Sequence, residues 1–239
     1  QKVLPSPWRW LQSPDHSHDA YQCVSSPTSS TFLMCRAQPS ACFPIHELSA
    51  QVVVQFSEQV CPSMSFADQV DLLHDVISEI EQQCAFPAKL SGLLLSFASE
   101  TLHMAYAGRY EVAHLQSRES IQQTHVRTLS RDSSTELSAY PVMLAEPDDL
   151  FTDHYLMGTE DGSLGSLHCS SWDIQPGDLI VAAPYPTFLS LRAQDLWEGL
   201  STQGSLPARF HSAFVFAHED LQCYVDYQQQ LESSLFSMS

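Results

Sequence analysis

The chain is poor in positive charge. Ten lysines and arginines stand against 28 aspartates and glutamates in 239 residues, a formal charge of -18. A polyanion of this kind repels the phosphate backbone of DNA or RNA and is disfavoured at an anionic lipid surface. The sequence also lacks any apolar run of about 18 residues, the length needed to span a bilayer, and no charged-then-apolar leader opens it. Its seven cysteines (Cys23, Cys35, Cys42, Cys61, Cys84, Cys169, Cys223) include no C-x-x-C pair, follow no regular spacing and are odd in number. Thiols scattered in this way read as small apolar residues in a reducing compartment rather than as a disulfide frame. The expectation is a soluble cytoplasmic domain that inserts no segment into a membrane and binds no nucleic acid.

Enough is present for a full core, since 44% of the residues are apolar. We expect one domain over residues 1–239, with a polar N-terminal segment at about 1–15 and a polar, weakly patterned surface excursion at about 116–165. Asp19–Val24 and the β-prone run Thr31–Cys35 read as strands. Ile45–Val60 carries Val52, Val53, Phe56 and Val60 near helical spacing. A second helix starts after Ser65, an N-cap residue, and lines Val70, Leu73, Ile77 and Ile80 on one face before Pro87. Leu90–Phe97 and Leu102–Ala107 form a hairpin, followed by a strand from Tyr110. Further strands are expected at Asp178–Ala183, Phe210–Ala217 and Leu221–Tyr227, with a helix from Leu189 or Ser190 to about Leu200. This order predicts an α+β fold, a layered antiparallel β-sandwich flanked by helices.

Five separated segments carry a further pattern. Ser17-His18-Asp19-Ala20-Tyr21 opens it, and Phe32-Leu33-Met34-Cys35 runs into Arg36-Ala37-Gln38-Pro39-Ser40. Met104-Ala105-Tyr106-Ala107-Gly108-Arg109 follows. The stretch from Pro176-Gly177-Asp178 through Leu179–Ala183 ends in Pro184-Tyr185, and His211-Ser212-Ala213-Phe214-Val215 comes last. In chain order these resemble the motifs of the metal-dependent (type 2C, PPM) protein phosphatases, and in particular their SpoIIE/RsbU-like branch. The resemblance spans roughly residues 15 to 217.

The resemblance implies sites where carboxylates hold paired Mg²⁺ or Mn²⁺, hard ions that demand oxygen ligands. In the register it suggests, His18 stands at a metal-binding Glu, Arg36 at the bridging Asp, Pro184 at the Asp of an Asp-Gly pair and His211 at a further Asp. Only Asp19 keeps a carboxylate. A guanidinium is always cationic and has no lone pair for a metal. The implied protein is a catalytically inactive pseudophosphatase with no catalytic residue, no metal and no cofactor. It would act as a protein-binding or regulatory module in phosphorylation-linked signalling, with a STAS-domain or other phosphorylation-switch protein as partner. Arg36 and Arg109 would contact a phosphate, a partner's carboxylate or an internal acid. Two alternatives stand beside it. One is an active serine/threonine phosphatase with an atypical metal site rebuilt from His18, Asp19, Asp178 and His211; the other is a structural or assembly scaffold subunit.

Other features read more plainly. His16 and His18, two apart and flanked by Asp15 and Asp19, could share one face of a strand, but in a polar segment they read as solvated surface. The acidic stretch from Glu146 to Asp161 does not have EF-hand spacing, and Gly162–Gly165 reads as a turn.

Overall fold

The computed structural model describes residues 2–3, 8–12, 19–25, 30–37, 45–61, 63–83, 90–98, 100–108, 110–117, 124–129, 135–137, 167–175, 178–184 and 213–218. They form twelve strands and two helices. In chain order these are β1 (Lys2–Val3), β2 (Trp8–Gln12), β3 (Asp19–Ser25), β4 (Ser30–Ala37), α1 (Ile45–Gln59), α2 (Phe66–Gln83), β5 (Leu90–Phe97), β6 (Thr101–Ala107), β7 (Tyr110–Ser117), β8 (Thr124–Thr128), β9 (Thr135–Leu137), β10 (His168–Asp173), β11 (Leu179–Pro184) and β12 (Phe214–His218). Contacts group the chain into two compact units. One comprises Gln1–Asp15, Glu111–Asp149 and Gln175–Ser239; the other comprises His16–Tyr110 and Leu150–Ile174.

The second unit holds a five-stranded sheet in the order β10-β6-β5-β4-β3, and every adjacent pair in it is antiparallel. β5 lies at its centre and is buried along its whole length. That burial explains why Leu90-Ser91-Gly92-Leu93-Leu94-Leu95-Ser96-Phe97 reads as nearly continuous apolar sequence instead of alternating. Leu33 pairs with Leu94, and Leu94 with Ala105. With Cys35, Leu90 and Ala107, this row forms the face onto which the helices pack. From α1 it receives Leu48, Val52, Val53 and Phe56, and from α2 Leu73, Val76, Ile77 and Ile80. The alanines of β6 leave room for the larger helical side chains, and each large aliphatic or aromatic residue buried here contributes about 1.5–3 kcal/mol of hydrophobic stabilisation.

Local chemistry fixes where α2 begins. The Ser65 Oγ accepts the Asp68 N–H at 3.2 Å, and the Ser65 carbonyl accepts the Gln69 N–H at 3.0 Å, so one serine satisfies two groups of the first turn. Asp68 adds a negative charge where the helix dipole favours it. Gln69 is buried yet satisfied: its Oε1 accepts the Thr31 hydroxyl at 3.3 Å and its Nε2 donates to the Met64 carbonyl at 3.4 Å. That amide ties the start of α2 to the start of β4.

The β5–β6 hairpin closes through Ala98 N–H donating to the Thr101 carbonyl at 2.9 Å. Between β6 and β7 stands Gly108, whose φ of 107° lies in the left-handed region that a Cβ would penalise. The Tyr110 N–H then donates to the Gly108 carbonyl at 3.1 Å.

The first unit holds a seven-stranded sheet in the order β1-β2-β12-β11-β7-β8-β9. β11 and β12 pair with Val181 opposite Val215, and β12 pairs with β2 with Phe216 in register with Trp10. All of β11 is buried, as are Phe214, Val215 and Phe216 on β12.

Four differences from the sequence reading are informative. β2 was expected only as apolar anchors at Trp8, Trp10 and Leu11, β8 and β9 fall in the stretch expected to be weakly patterned, and β10 was not expected. β10 is an edge strand whose only buried residue is Trp172. Its polar sequence His-Cys-Ser-Ser-Trp-Asp reflects exposure, and its hydrogen bonds come from β6. The helix expected near Leu189–Leu200 and the strand near Leu221–Tyr227 lie outside the described residues. No helix among them is long and apolar enough to cross a membrane.

Candidate functional site

In the five-stranded sheet, the register brings three polar residues into one cross-strand row. Asp19, the first residue of β3, is opposite Arg36 on β4, and Arg36 is opposite Ser91 on β5. Directly paired residues in an antiparallel ladder share a face. Here it is the face away from the helices, because Leu33 and Cys35, which meet the helices, alternate with Phe32, Met34 and Arg36. Next to the row this face is apolar and buried: Phe32, Met34, Leu93, Leu95 and Met104 have no exposed surface. Arg36 is partly buried.

A short hydrogen-bond chain holds the end of β4. The Ser91 hydroxyl donates to the Arg36 carbonyl at 3.2 Å, and 3.1 Å separates Ser91 Oγ from the Tyr110 hydroxyl. A serine has one hydroxyl hydrogen, so with that hydrogen on the Arg36 carbonyl it is Tyr110 that donates to Ser91. Both side chains are buried.

In the seven-stranded sheet a second polar group surrounds the root of β11. The Asp178 N–H donates to the Gln175 carbonyl at 3.0 Å. In return, the Asp178 Oδ2 accepts the Gln175 N–H at 2.8 Å, an aspartate closing its own turn with its side chain. The same Oδ2 lies 2.7 Å from His114 Nε2. Arg127, the cross-strand partner of His114, places Nη2 at 3.0 Å from His114 Nδ1. A guanidinium only donates, so Nδ1 is the acceptor and Nε2 carries the hydrogen given to Asp178. The imidazole is therefore neutral, and its contact with Asp178 is a hydrogen bond, not an ion pair. Glu111, also buried, accepts the Leu129 N–H at 2.8 Å and the Val112 N–H at 3.2 Å through Oε1, which fastens β7 to the residue following β8.

Glu111, His114 and Arg127 were missed in the sequence, although Glu and His inside the run Tyr110-Glu111-Val112-Ala113-His114-Leu115 do mark a strand with buried polar partners. Asp178, the carboxylate within Pro176-Gly177-Asp178, is used for folding. It closes a turn and anchors His114.

Of the positions assigned by the resemblance, Asp19 and Arg36 fall next to each other in the row described, and Pro184 is the buried last residue of β11. His18, Arg109 and His211 lie outside the described residues, as do His16, the acidic stretch from Glu146 to Asp161, and Gly162–Gly165. Among the described residues no three His, Cys, Asp or Glu side chains converge on a point that a metal ion could take. Arg36 has no lone pair to give and Pro184 no side-chain donor, so these two residues do not fit a divalent ion. Burial pushes the Cys35 thiol far above its ordinary range, and burial also raises the Cys169 thiol. Neither is therefore disposed to act as a thiolate nucleophile.

No family model matches the chain, and no curated protein matches it by sequence. Solved structures do match its fold. A bacterial serine phosphatase superposes with a TM-score of 0.58 at 9% identity, over 90% of this chain and 98% of that one. Serine/threonine phosphatase Stp1 from Staphylococcus aureus gives 0.57 at 10% identity, over 91% and 97%. PppA, described as a key regulatory component of T6SS in Pseudomonas aeruginosa, gives 0.54 at 11% identity, over 89% and 98%. Two antiparallel sheets with two helices, matched over nearly the whole length of these proteins, define an α+β fold of the PPM phosphatase type.

Proposed function

We propose that this chain is a PPM-fold pseudophosphatase of the SpoIIE/RsbU-like kind, a cytoplasmic protein-binding or regulatory module without phosphoryl-transfer chemistry of its own. One observation carries the reading. The residue at the place of the bridging carboxylate, Arg36, is the cross-strand partner of Asp19, the one metal-type carboxylate the motifs retain. A metal phosphatase places acids around its ions, and the mutual repulsion of those acids is relieved only when cations bind. An acid opposite a guanidinium already has a counter-charge, and the guanidinium repels a divalent ion. Pro184 at the end of β11 supports the same reading.

A module of this type acts by binding. The partner suggested by the sequence resemblance is a STAS-domain or other phosphorylation-switch protein, and fold likeness does not by itself assign function. The test is a melting curve and a p-nitrophenyl phosphate assay run together, with and without millimolar Mn²⁺ and Mg²⁺. An ion that binds the native state specifically raises its melting temperature. The expected result is no shift and no turnover. Metal-dependent turnover that is lost in Asp19→Ala would replace this reading with that of an active phosphatase.

A further inference from the structure

We infer that the outer edge of β10 is a docking strand, which pairs through its backbone with an extended, lysine- or arginine-rich segment of another protein. The inference rests on the reading of this chain as a protein-binding module and names the surface and the partner's chemistry.

The open edge follows from the hydrogen-bond pattern. β10 pairs with β6 from His168 opposite Tyr106 to Asp173 opposite Thr101 without a break. Just beyond, the Ile174 N–H donates to the Glu100 carbonyl at 2.9 Å. Opposed residues in an antiparallel ladder alternate between hydrogen-bonded and non-hydrogen-bonded pairs. Counting back from Ile174, it is Trp172, Ser170 and His168 whose backbone groups bond to β6. The N–H and C=O groups of Cys169, Ser171 and Asp173 therefore point to the other side, where no described strand lies. The side chains of these three residues are exposed. A free edge is normally guarded by a lysine, a proline, a bulge or a covering element. β10 has no lysine, no proline and no bulge.

The edge is also held in place. Trp172 is buried, and Ser171 Oγ lies 2.8 Å from Nδ1 of His103. That imidazole stacks on Phe66 at the start of α2, with ring centroids 5.2 Å apart. A strand already ordered loses little entropy when a partner pairs with it.

Charge selects the occupant. Exposed Glu100 and Asp173 stand at one end of β10, and exposed Asp68 lies in the first turn of the helix whose Phe66 stacks on His103. By sequence this unit carries thirteen Asp or Glu and three Lys or Arg. A cationic strand is attracted to such an edge, whereas a second copy of this chain, with its own charge of -18, is repelled. Alternate side chains of the occupant share the sheet face of Cys169, Ser171 and Asp173, so basic residues at every second position meet the acids.

The experiment is amide hydrogen exchange followed by NMR on the full chain, with the end-blocked peptide Lys-Val-Lys-Thr-Lys-Val-Lys-Thr as probe. Without peptide, the amides of Cys169, Ser171 and Asp173 should exchange about tenfold or more faster than those of Ser170, Trp172 and Ile174. Millimolar peptide should slow the three outward amides by about tenfold, and about 0.5 M NaCl should remove the effect. The same peptide with glutamate in place of lysine should do nothing. Ser171→Pro removes an outward N–H without touching a bond to β6, so it should fold and lose the response to the peptide. Ser171→Lys, which puts a like charge on the edge, should lose the response too. Ser171→Ala, which gives up only the contact with His103, should respond as the wild type does.

Slow exchange of the three amides in the free chain would overturn the inference, because the edge would already be covered. Slowing that grows with protein concentration would assign the cover to a second copy. Unchanged exchange with the lysine peptide, or equal slowing by the glutamate peptide, would overturn it as well. None of these readouts involves turnover: metal-dependent phosphatase activity would replace the pseudophosphatase reading and leave the result at the edge standing.

Discussion

Replacing Asp178 by alanine tests whether the carboxylate of the Pro-Gly-Asp segment belongs to folding or to chemistry. In the native state its Oδ2 accepts from His114 Nε2 at 2.7 Å and from the Gln175 backbone at 2.8 Å. Alanine removes both acceptors and supplies none. His114 is wholly buried, so its N–H loses its partner in a place water does not reach, a cost of about 1–3 kcal/mol. The Gln175 N–H is part-buried and can recover some hydration, which adds about 1 kcal/mol at most. The sum, about 1–4 kcal/mol, is a sizeable fraction of the roughly 5–15 kcal/mol that keeps a typical domain folded. Asp178→Asn keeps one acceptor oxygen and should lose about half as much. The assay is urea unfolding of the full chain without added metal. A matching cycle with His114→Leu should show coupling of about 1 kcal/mol or more, since the two side chains share one bond. If Asp178→Ala unfolds with a loss below about 0.5 kcal/mol, the bond network does not support the sheet as argued. The carboxylate would then have to be explained by function.

Two further predictions concern the helices and the thiols. Ile77→Ala, which empties part of the wholly buried space between α2 and the sheet, should cost about 2–4 kcal/mol, while Val54→Ala, at a half-exposed position on α1, should cost less than about 0.5 kcal/mol in the same unfolding assay. Because burial raises the Cys35 thiol, the unfolded chain releases that proton first as pH climbs past about 8.5, so stability present below this value is progressively lost above it, by up to about 1.4 kcal/mol per pH unit. Cys35→Ala should therefore show a flatter decline of stability between pH 9 and 10.5 than the wild type, and mass-spectrometric mapping after iodoacetamide at pH 8 should find Cys61 modified, Cys169 modified more slowly and Cys35 modified only in urea.

Much of the fold was legible because period and boundary chemistry agreed. The helix from Ile45, the Ser65 cap, the hairpin of β5 and β6 and the strand from Tyr110 all appear at, or within a residue or two of, their expected places. These segments are either one-sided in hydrophobicity or continuously apolar, and both patterns follow from burial. The edge strand β10 did not announce itself, because a strand needs only backbone partners and a residue exposed on a sheet edge carries no apolar signature. The candidate site was legible only in part. The motif order located Asp19 and Arg36, but their pairing depends on register between β3 and β4, a long-range property that no local pattern encodes. The polar group of Glu111, His114, Arg127 and Asp178 was harder still, for it joins a strand pair to a turn more than sixty positions away in the chain.

The retained Pro-Gly-Asp segment bears directly on how a phosphatase-like sequence should be weighed. On sequence alone it is the strongest reminder of a metal phosphatase, and a surviving aspartate invites a catalytic role. In the structure that aspartate closes the turn entering β11 and holds a neutral histidine whose other nitrogen accepts from Arg127. Each of these contacts would be needed to enter the strand correctly whether or not a metal ever bound. A chain that kept the scaffold and gave up the chemistry would therefore still display Pro-Gly-Asp, the apolar strand behind it and the apolar frames of β4 and β12. It would differ where a residue has no folding duty except toward an ion. The contrast between Asp178, tied into its turn and sheet, and Arg36, set opposite Asp19, fits that division.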